Sequence, residues 1–327
     1  MSSVHIVVTD GYTLNPGDNP WDDLEALGQL SVHDRTSDAE LTGRCRGADV
    51  LVVNKTQIRK ADLAELDRLK LIAVSATGYD CVDVEEAGKK GVPVCNVPIY
   101  GTDSVAQYVI SAILHTWQNL GLHDAAVRSG EWSRQPDWSF WKAPLVELRD
   151  LTIGIVGFGR IGRRVGELAN AFGMQVLAHD PFVGAPPAYD RFEWAGLGDL
   201  FARSDVVTLH TPLTSGNNGF VNHSLLSKMK PAALLINAAR GPLVNEQDLA
   251  DALNAGGLAA AVVDTVSNEP IRPENPLLSA RNILITPHLA WATLAARRRL
   301  MSQTVANIEA FLDGRPQNVV NTDFLVT

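Results

Sequence analysis

The sequence predicts an α/β protein made of two doubly wound domains, each built on a parallel sheet. Three observations lead there. The length of 327 residues fits about two domains at roughly 150 residues each. Short apolar runs without polar alternation recur along the chain, as expected of strands buried on both faces. Helical periodicity lies between them, and alternating strand and helix means a parallel sheet.

In order, the strand candidates of the first half are Val4–Val8, Val50–Val53, Leu71–Val74 and Val92–Cys95. Those of the second half are Leu151–Val156, Gln175–Ala178, Val206–Leu209, Ala233–Ile236, Ala260–Val263 and Ile283–Ile285. Val105–Trp117 is the most apolar helical stretch, and it separates the two sets. Ile161, Val165, Leu168 and Phe172 fall at i, i+4, i+7 and i+11, one stripe of a helix. The segment Arg128–Val146 holds Trp132, Trp138, Phe140 and Trp141 between prolines, and it reads as a long irregular excursion. Its aromatic rings need a surface, either on their own domain or at a subunit interface or active-site wall.

Composition narrows the class. With 46% hydrophobic and 20% charged residues the chain can build a core. Lys plus Arg is 28 against 37 for Asp plus Glu, a net charge of −9, which argues against nucleic acid as the main partner. Cys45, Cys81 and Cys95 are odd in number and contain no CxxC, so neither a disulfide framework nor a metal site is expected. The N-terminus lacks a basic region and its apolar run is cut at Thr9, so it reads as a strand rather than a signal peptide. No apolar stretch approaches about 18 residues, the length a membrane span needs. The expectation is a cytoplasmic protein.

The strongest motif follows the strand Leu151–Val156. Gly157-Phe-Gly-Arg-Ile-Gly162 opens the amphipathic helix, and Asp180 ends the next strand. Gly157 permits the tight turn, Gly159 lets backbone approach a pyrophosphate, and Gly162 lets helix and strand pack closely. The helix N-terminus offers N–H groups to the phosphates. Asp180 suits the ribose hydroxyls and would repel a 2′-phosphate, which points to NAD. Three more motifs follow strands, where ligands bind in open α/β sheets. They carry Arg240, then Asp264 with Glu269, then His288.

These motifs resemble the D-isomer-specific 2-hydroxyacid dehydrogenases over essentially the whole chain. The residues carrying the resemblance include Asn54-Lys-Thr, Ala76-Thr-Gly-Tyr-Asp80, Tyr100-Gly-Thr-Asp-Ser-Val-Ala-Gln107, the Gly157 loop, His210-Thr-Pro-Leu213, Ala239-Arg-Gly241, Glu269-Pro270 and Pro287-His-Leu-Ala-Trp291. Within the family the similarity is greatest to the glycerate dehydrogenases, or hydroxypyruvate reductases. The resemblance implies a discontinuous substrate domain, 1–100 with 288–327, around a Rossmann NAD-binding domain, 101–287. It implies a homodimer and a small 2-keto or 2-hydroxy acid as substrate. It assigns catalysis to Arg240, Glu269 and His288. An Arg fork grips a carboxylate, a His exchanges the proton of the reduced carbonyl, and a carboxylate orients that His and favours its charged form. It places Arg160 and Ile161 on the pyrophosphate, Pro212 and Ala238 along the cofactor, and Asp264 on the nicotinamide amide. The backbone of Ala76, Thr77 and Gly78 is implied to meet the substrate carboxylate. Asn54 and Lys55 end a strand where they could reach a hydroxyl on C3. Alternatives are a D-lactate or 3-phosphoglycerate type of dehydrogenase and a non-catalytic NADH-sensing corepressor.

Overall fold

The computed structural model describes residues 4–325. Met1–Ser3, the start of the segment weighed as a signal peptide, lie outside the described residues. The chain forms two compact units, Met1–Gly101 with Ala292–Thr327, and Thr102–Trp291. The first crossing lies one residue past the expected boundary. The second lies four residues past it, so His288 falls in the same unit as the glycine motif.

The first unit holds a five-stranded parallel sheet. Its strands are β1 (His5–Val8), β2 (Gln29–Val32), β3 (Val50–Val53), β4 (Leu71–Val74) and β5 (Val94–Cys95), in the order β2-β1-β3-β4-β5. All residues of β3 and β4 are buried, which is why they read as unbroken apolar runs. Their side chains alternate between faces. Val7, Leu51 and Ile72 enter one core, whereas Ile6, Val50 and Leu71 enter the other. Val305 and Ile308 of the helix Leu294–Leu312 complete the second core, so the end of the chain covers a sheet begun at its start.

The second unit holds seven parallel strands. They are β6 (Thr152–Val156), β7 (Gln175–His179), β8 (Phe192–Trp194), β9 (Val206–Leu209), β10 (Leu234–Asn237), β11 (Ala260–Val263) and β12 (Ile283–Ile285), in the order β12-β11-β10-β9-β6-β7-β8. The helices Thr102–Gln118 and Arg160–Ala171 cover one face with Ala106, Val109, Ile113, Val165 and Ala169. Leu200, Phe201, Leu249 and Leu253 cover the other. The stripe expected on Arg160–Ala171 is partly displaced: Gly162, Val165, Gly166 and Ala169 are its buried residues, and Phe172 caps the helix at 44% exposure. A face of small residues brings the helix close to the sheet.

Strand order reverses direction between β1 and β3 in the first unit and between β6 and β9 in the second. At such switch points the loops diverge and leave a crevice beyond the carboxyl ends of the strands. No helix among the described residues is long and apolar enough to cross a membrane.

Candidate active site

The glycine turn sits at the switch point of the second unit. Gly157 has φ +91°, and a Cβ there would lie 2.6 Å from the backbone of His210 and Thr211. Only glycine joins β6 to its helix so close to the end of β9. A Cβ at Gly162 would lie 2.1 Å from the Gly157 carbonyl oxygen. At Gly159 a Cβ would meet nothing within 4 Å, and no side chain caps the helix that Gly159 begins. The first N–H groups of Arg160–Ala171 have no intrahelical acceptor. An uncapped helix N-terminus beside open space fits a pyrophosphate.

Asp180 follows β7. Its Oδ2 accepts from Phe158 N at 2.7 Å and its Oδ1 from Phe182 N at 2.9 Å. The carboxylate is thereby fixed to the glycine loop, and about two of its four acceptor positions stay available for ribose hydroxyls. Pro212 follows β9 and is exposed, with its carbonyl accepting from Asn217 Nδ2 at 2.8 Å. His210, between them, has Nε2 3.0 Å from Thr208 Oγ1. The surrounding protein withdraws the ring from bulk water and pushes its pKa down to about 3.

The loop after β10 carries Ala238 and Arg240. The buried Asn237 shapes it, accepting from Ala239 N at 3.1 Å and donating to the Arg240 carbonyl at 2.9 Å. Arg240 Nη1 donates to the Ala239 carbonyl at 2.8 Å, which leaves the rest of its fork for a carboxylate.

Glu269 and His288 meet. Glu269 Oε2 lies 2.7 Å from His288 Nδ1, and its Oε1 accepts from Val266 N at 3.3 Å. The His288 side chain is 25% exposed, enough for a small molecule to reach it. Its backbone is left-handed, φ +52°, a region that non-glycine residues occupy only when surroundings enforce it. The enforcing group is Asp264 at the end of β11. His288 N donates to the Asp264 carbonyl at 2.7 Å, Leu289 N to Oδ1 at 2.9 Å and Ala290 N to Oδ2 at 2.8 Å. Thr286 Oγ1 donates to Oδ1 at 2.6 Å and also lies 2.6 Å from the Tyr108 hydroxyl. Asp264, 1% exposed, therefore has about one acceptor position left for a nicotinamide amide. Nothing in the sequence flagged Tyr108 or Thr286, because their meeting spans 178 residues and follows no spacing rule.

In the first unit Ala76, Thr77 and Gly78 follow β4. Asn96 Nδ2 donates to the Thr77 carbonyl at 2.7 Å, and Thr77 Oγ1 to the Val97 carbonyl at 2.8 Å. The N–H groups of Thr77 and Gly78 donate to no protein acceptor among the described residues. Asn54 departs from expectation. It is 6% exposed and its Nδ2 donates to the Ser75 carbonyl at 2.6 Å, so its amide ties β3 to β4 rather than facing a ligand. Lys55 is exposed.

Residues 110–290 match the family described as D-isomer specific 2-hydroxyacid dehydrogenase, NAD binding domain. With the glycine turn at the sheet's switch point, that match defines the class: an oxidoreductase using a nicotinamide cofactor. The chain is 46% identical over 319 residues to a hydroxypyruvate reductase of Blautia hydrogenotrophica, covering 97% of this chain and 99% of the relative. It is 38% identical over 286 residues to a glycerate dehydrogenase of Methylorubrum extorquens, covering 86% and 88%. Among solved structures it resembles an NADPH-dependent glyoxylate/hydroxypyruvate reductase of Sinorhizobium meliloti in complex with NADP and malonate. That likeness has a TM-score of 0.82 at 29% identity and covers 100% and 99% of the two chains. The chain belongs to the D-isomer specific 2-hydroxyacid dehydrogenase family.

Proposed function

We propose that this protein reduces hydroxypyruvate to D-glycerate, and more weakly glyoxylate to glycolate, with NADH. The observation carrying the reading is the Glu269–His288 bond of 2.7 Å at the carboxyl edge of the NAD-binding sheet. The 46% identity to a hydroxypyruvate reductase gives it a substrate. When bound, NADH supplies the hydride that reduces C2. Arg240 holds the substrate carboxylate through its free guanidinium N–H groups. Glu269 accepts from Nδ1 of His288, so Nε2 is the nitrogen that faces substrate. Nε2 gives its proton to the carbonyl oxygen as C2 is reduced, and in the reverse direction takes the hydroxyl proton. Gly157, Gly159, Gly162, Arg160 and Ile161 hold the pyrophosphate, Asp180 the ribose, and Pro212, Ala238 and Asp264 the remainder of the cofactor.

Asp180 also sets cofactor choice. A 2′-phosphate on a ribose held by Asp180 would meet its carboxylate, and no Lys or Arg follows in sequence until Arg191. NADH is therefore preferred to NADPH by at least about tenfold in kcat/KM, or about 1.4 kcal/mol. The S. meliloti relative is NADPH-dependent by name, so this preference separates the two. One assay tests the whole reading: kcat/KM for hydroxypyruvate, glyoxylate, pyruvate and a branched 2-keto acid, each with NADH and NADPH. Pyruvate or the branched acid outranking hydroxypyruvate refutes the substrate. Equal rates with NADPH refute the role of Asp180.

The protein acts as a homodimer in the cytoplasm. Leu120 at 73% exposure, Trp138 at 88% and Trp141 at 70% expose apolar area that a second copy would cover. The three cysteines are free and buried, and burial pushes each thiol up to about 11, which suits a reducing compartment. Sedimentation equilibrium giving a 35 kDa species at micromolar concentration would refute the dimer.

A further inference from the structure

We propose that the helix Thr102–Gln118 sets the position of His288 through two hydroxyls, Ser104 and Tyr108, which makes both of them positioning residues for proton transfer. The inference rests on His288 being the proton-exchanging group of the proposed function.

Ser104 and Tyr108 are four residues apart and so share one face of the helix. Ser104 Oγ donates to the Ala290 carbonyl at 2.7 Å. Tyr108 Oη lies 2.6 Å from Thr286 Oγ1. The two contacts bracket His288, one at position −2 and one at position +2. The direction of the second contact follows from chemistry. The Asp264 carboxylate already accepts from Leu289 N and Ala290 N. A carboxylate only accepts, so the Thr286 hydroxyl donates to it at 2.6 Å. Thr286 Oγ1 is then the acceptor for Tyr108. The Tyr108 phenol is half-buried, and desolvation pushes its pKa up to about 12, so it keeps its proton at any working pH. The chain of donors runs Tyr108 to Thr286 to Asp264, and Asp264 in turn holds the backbone N–H groups of His288, Leu289 and Ala290.

This arrangement answers a structural need. A histidine at φ +52° is conformationally costly, and its imidazole must meet Glu269 on one nitrogen and substrate on the other. Asp264 ties the segment 286–290 to the end of β11. The two hydroxyls tie that segment to a long helix whose apolar residues are packed in the sheet's core. Each removes freedom from the loop without touching substrate or cofactor.

The test compares Tyr108→Phe, Ser104→Ala, Thr286→Val and Thr286→Ser. One lost hydrogen bond corresponds to about a fivefold change. Tyr108→Phe and Ser104→Ala should each lower kcat about fivefold, with KM for hydroxypyruvate and for NADH within about twofold of wild type. Thr286→Val should lower kcat about tenfold or more, while Thr286→Ser, which keeps the hydroxyl, restores most of it. The double variant Tyr108→Phe/Thr286→Val should be no slower than Thr286→Val alone, since both act along one chain. In parallel, the ¹⁵N shifts of the His288 ring, identified by their loss in His288→Ala, report its bond to Glu269 without any substrate. They should move in Tyr108→Phe and Thr286→Val and stay in Thr286→Ser. Unchanged kcat and unchanged ring shifts in Tyr108→Phe overturn the proposal, as does Thr286→Ser behaving like Thr286→Val. Ring shifts that respond while no 2-keto acid turns over leave the positioning intact and refute the proposed function instead. Loss of turnover in His288→Ala with a silent Tyr108→Phe does the reverse.

Discussion

The two sheets share a parallel, doubly wound design, with five strands and seven, and they contrast at the switch point. In the first unit the crevice between β1 and β3 is filled from within. Asp10 follows β1, and its carboxylate accepts from Asn54 N at 2.8 Å, Lys55 N at 2.5 Å and Thr56 N at 2.8 Å. In the second unit the corresponding crevice between β6 and β9 has a glycine turn, an uncapped helix and open space at Gly159. One sheet satisfies its orphan N–H groups with its own anion, and the other leaves them for an anion that arrives. The same topology thus has its switch point closed by a carboxylate in one sheet and left open in the other.

The largest expected effect tests what the open edge is for. His288→Ala should lower kcat by roughly 10²–10⁴ while NADH binding, measured by fluorescence titration, stays near wild type. Turnover close to wild type would remove His288 from the chemistry.

Next in size, Gly159→Asp would give the second sheet the plug that the first already has. The backbone at Gly159 is extended, φ −76° and ψ −155°, and Asp is a favoured helix N-cap, so melting temperature should hold or rise. NADH affinity should fall at least about 100-fold, near 2.7 kcal/mol. Retained affinity would show that the helix N-terminus is not where the pyrophosphate binds.

The converse change opens the first sheet. Asp10→Ala removes the acceptor of three N–H groups that water can partly replace, for a loss of about 2 kcal/mol in the stability of the first unit. Denaturant unfolding should show it, with NADH affinity within about twofold of wild type. A loss of NADH affinity would mean that the two crevices do not act separately.

The last expectation concerns pH. His210 stands opposite Gly157 with its pKa pushed down to about 3, against an ordinary 6.5. Between those values the folded protein binds fewer protons at this ring than the unfolded chain. Stability is therefore unaffected above about pH 6.5 and falls as pH drops towards 3, by at most about 1.4 kcal/mol per pH unit. An NMR titration should find the ring still neutral at pH 5. A midpoint near 6 would contradict this.

The central strands and the glycine motif were legible in the sequence, and the illegible contacts have a common cause. Buried central strands such as β3, β4, β9 and β10 announce themselves as apolar runs. The two strands without such runs, β2 and β8, are edge strands in which polar residues interrupt the pattern, whereas the other two edges, β5 and β12, keep apolar sequences. The glycine motif and the Glu269–His288 pair could be read because each uses residue types tied to one chemistry. Asn54 misled, because an amide at a strand end satisfies a buried carbonyl as readily as it grips a ligand. The plug at Asp10 was invisible for the same reason as the Tyr108–Thr286 contact: an acid or a hydroxyl carries no mark of which distant backbone it will serve.

The first unit is assembled from both ends of the chain, and this fixes an order of events during synthesis. The second unit, Thr102–Trp291, has every residue it needs once Trp291 has left the ribosome. The first unit begins earlier yet waits longer. Val305 and Ile308 belong to its core, and Asn321 bonds β5 and its flanks, accepting from Val94 N at 2.9 Å and donating to the Val84 and Val92 carbonyls. Until those residues emerge, the nascent chain carries an apolar sheet face covered only in part, by Leu24 and its neighbours. The part made first is the part finished last, and in that interval the chain is most exposed to aggregation and most in need of a chaperone.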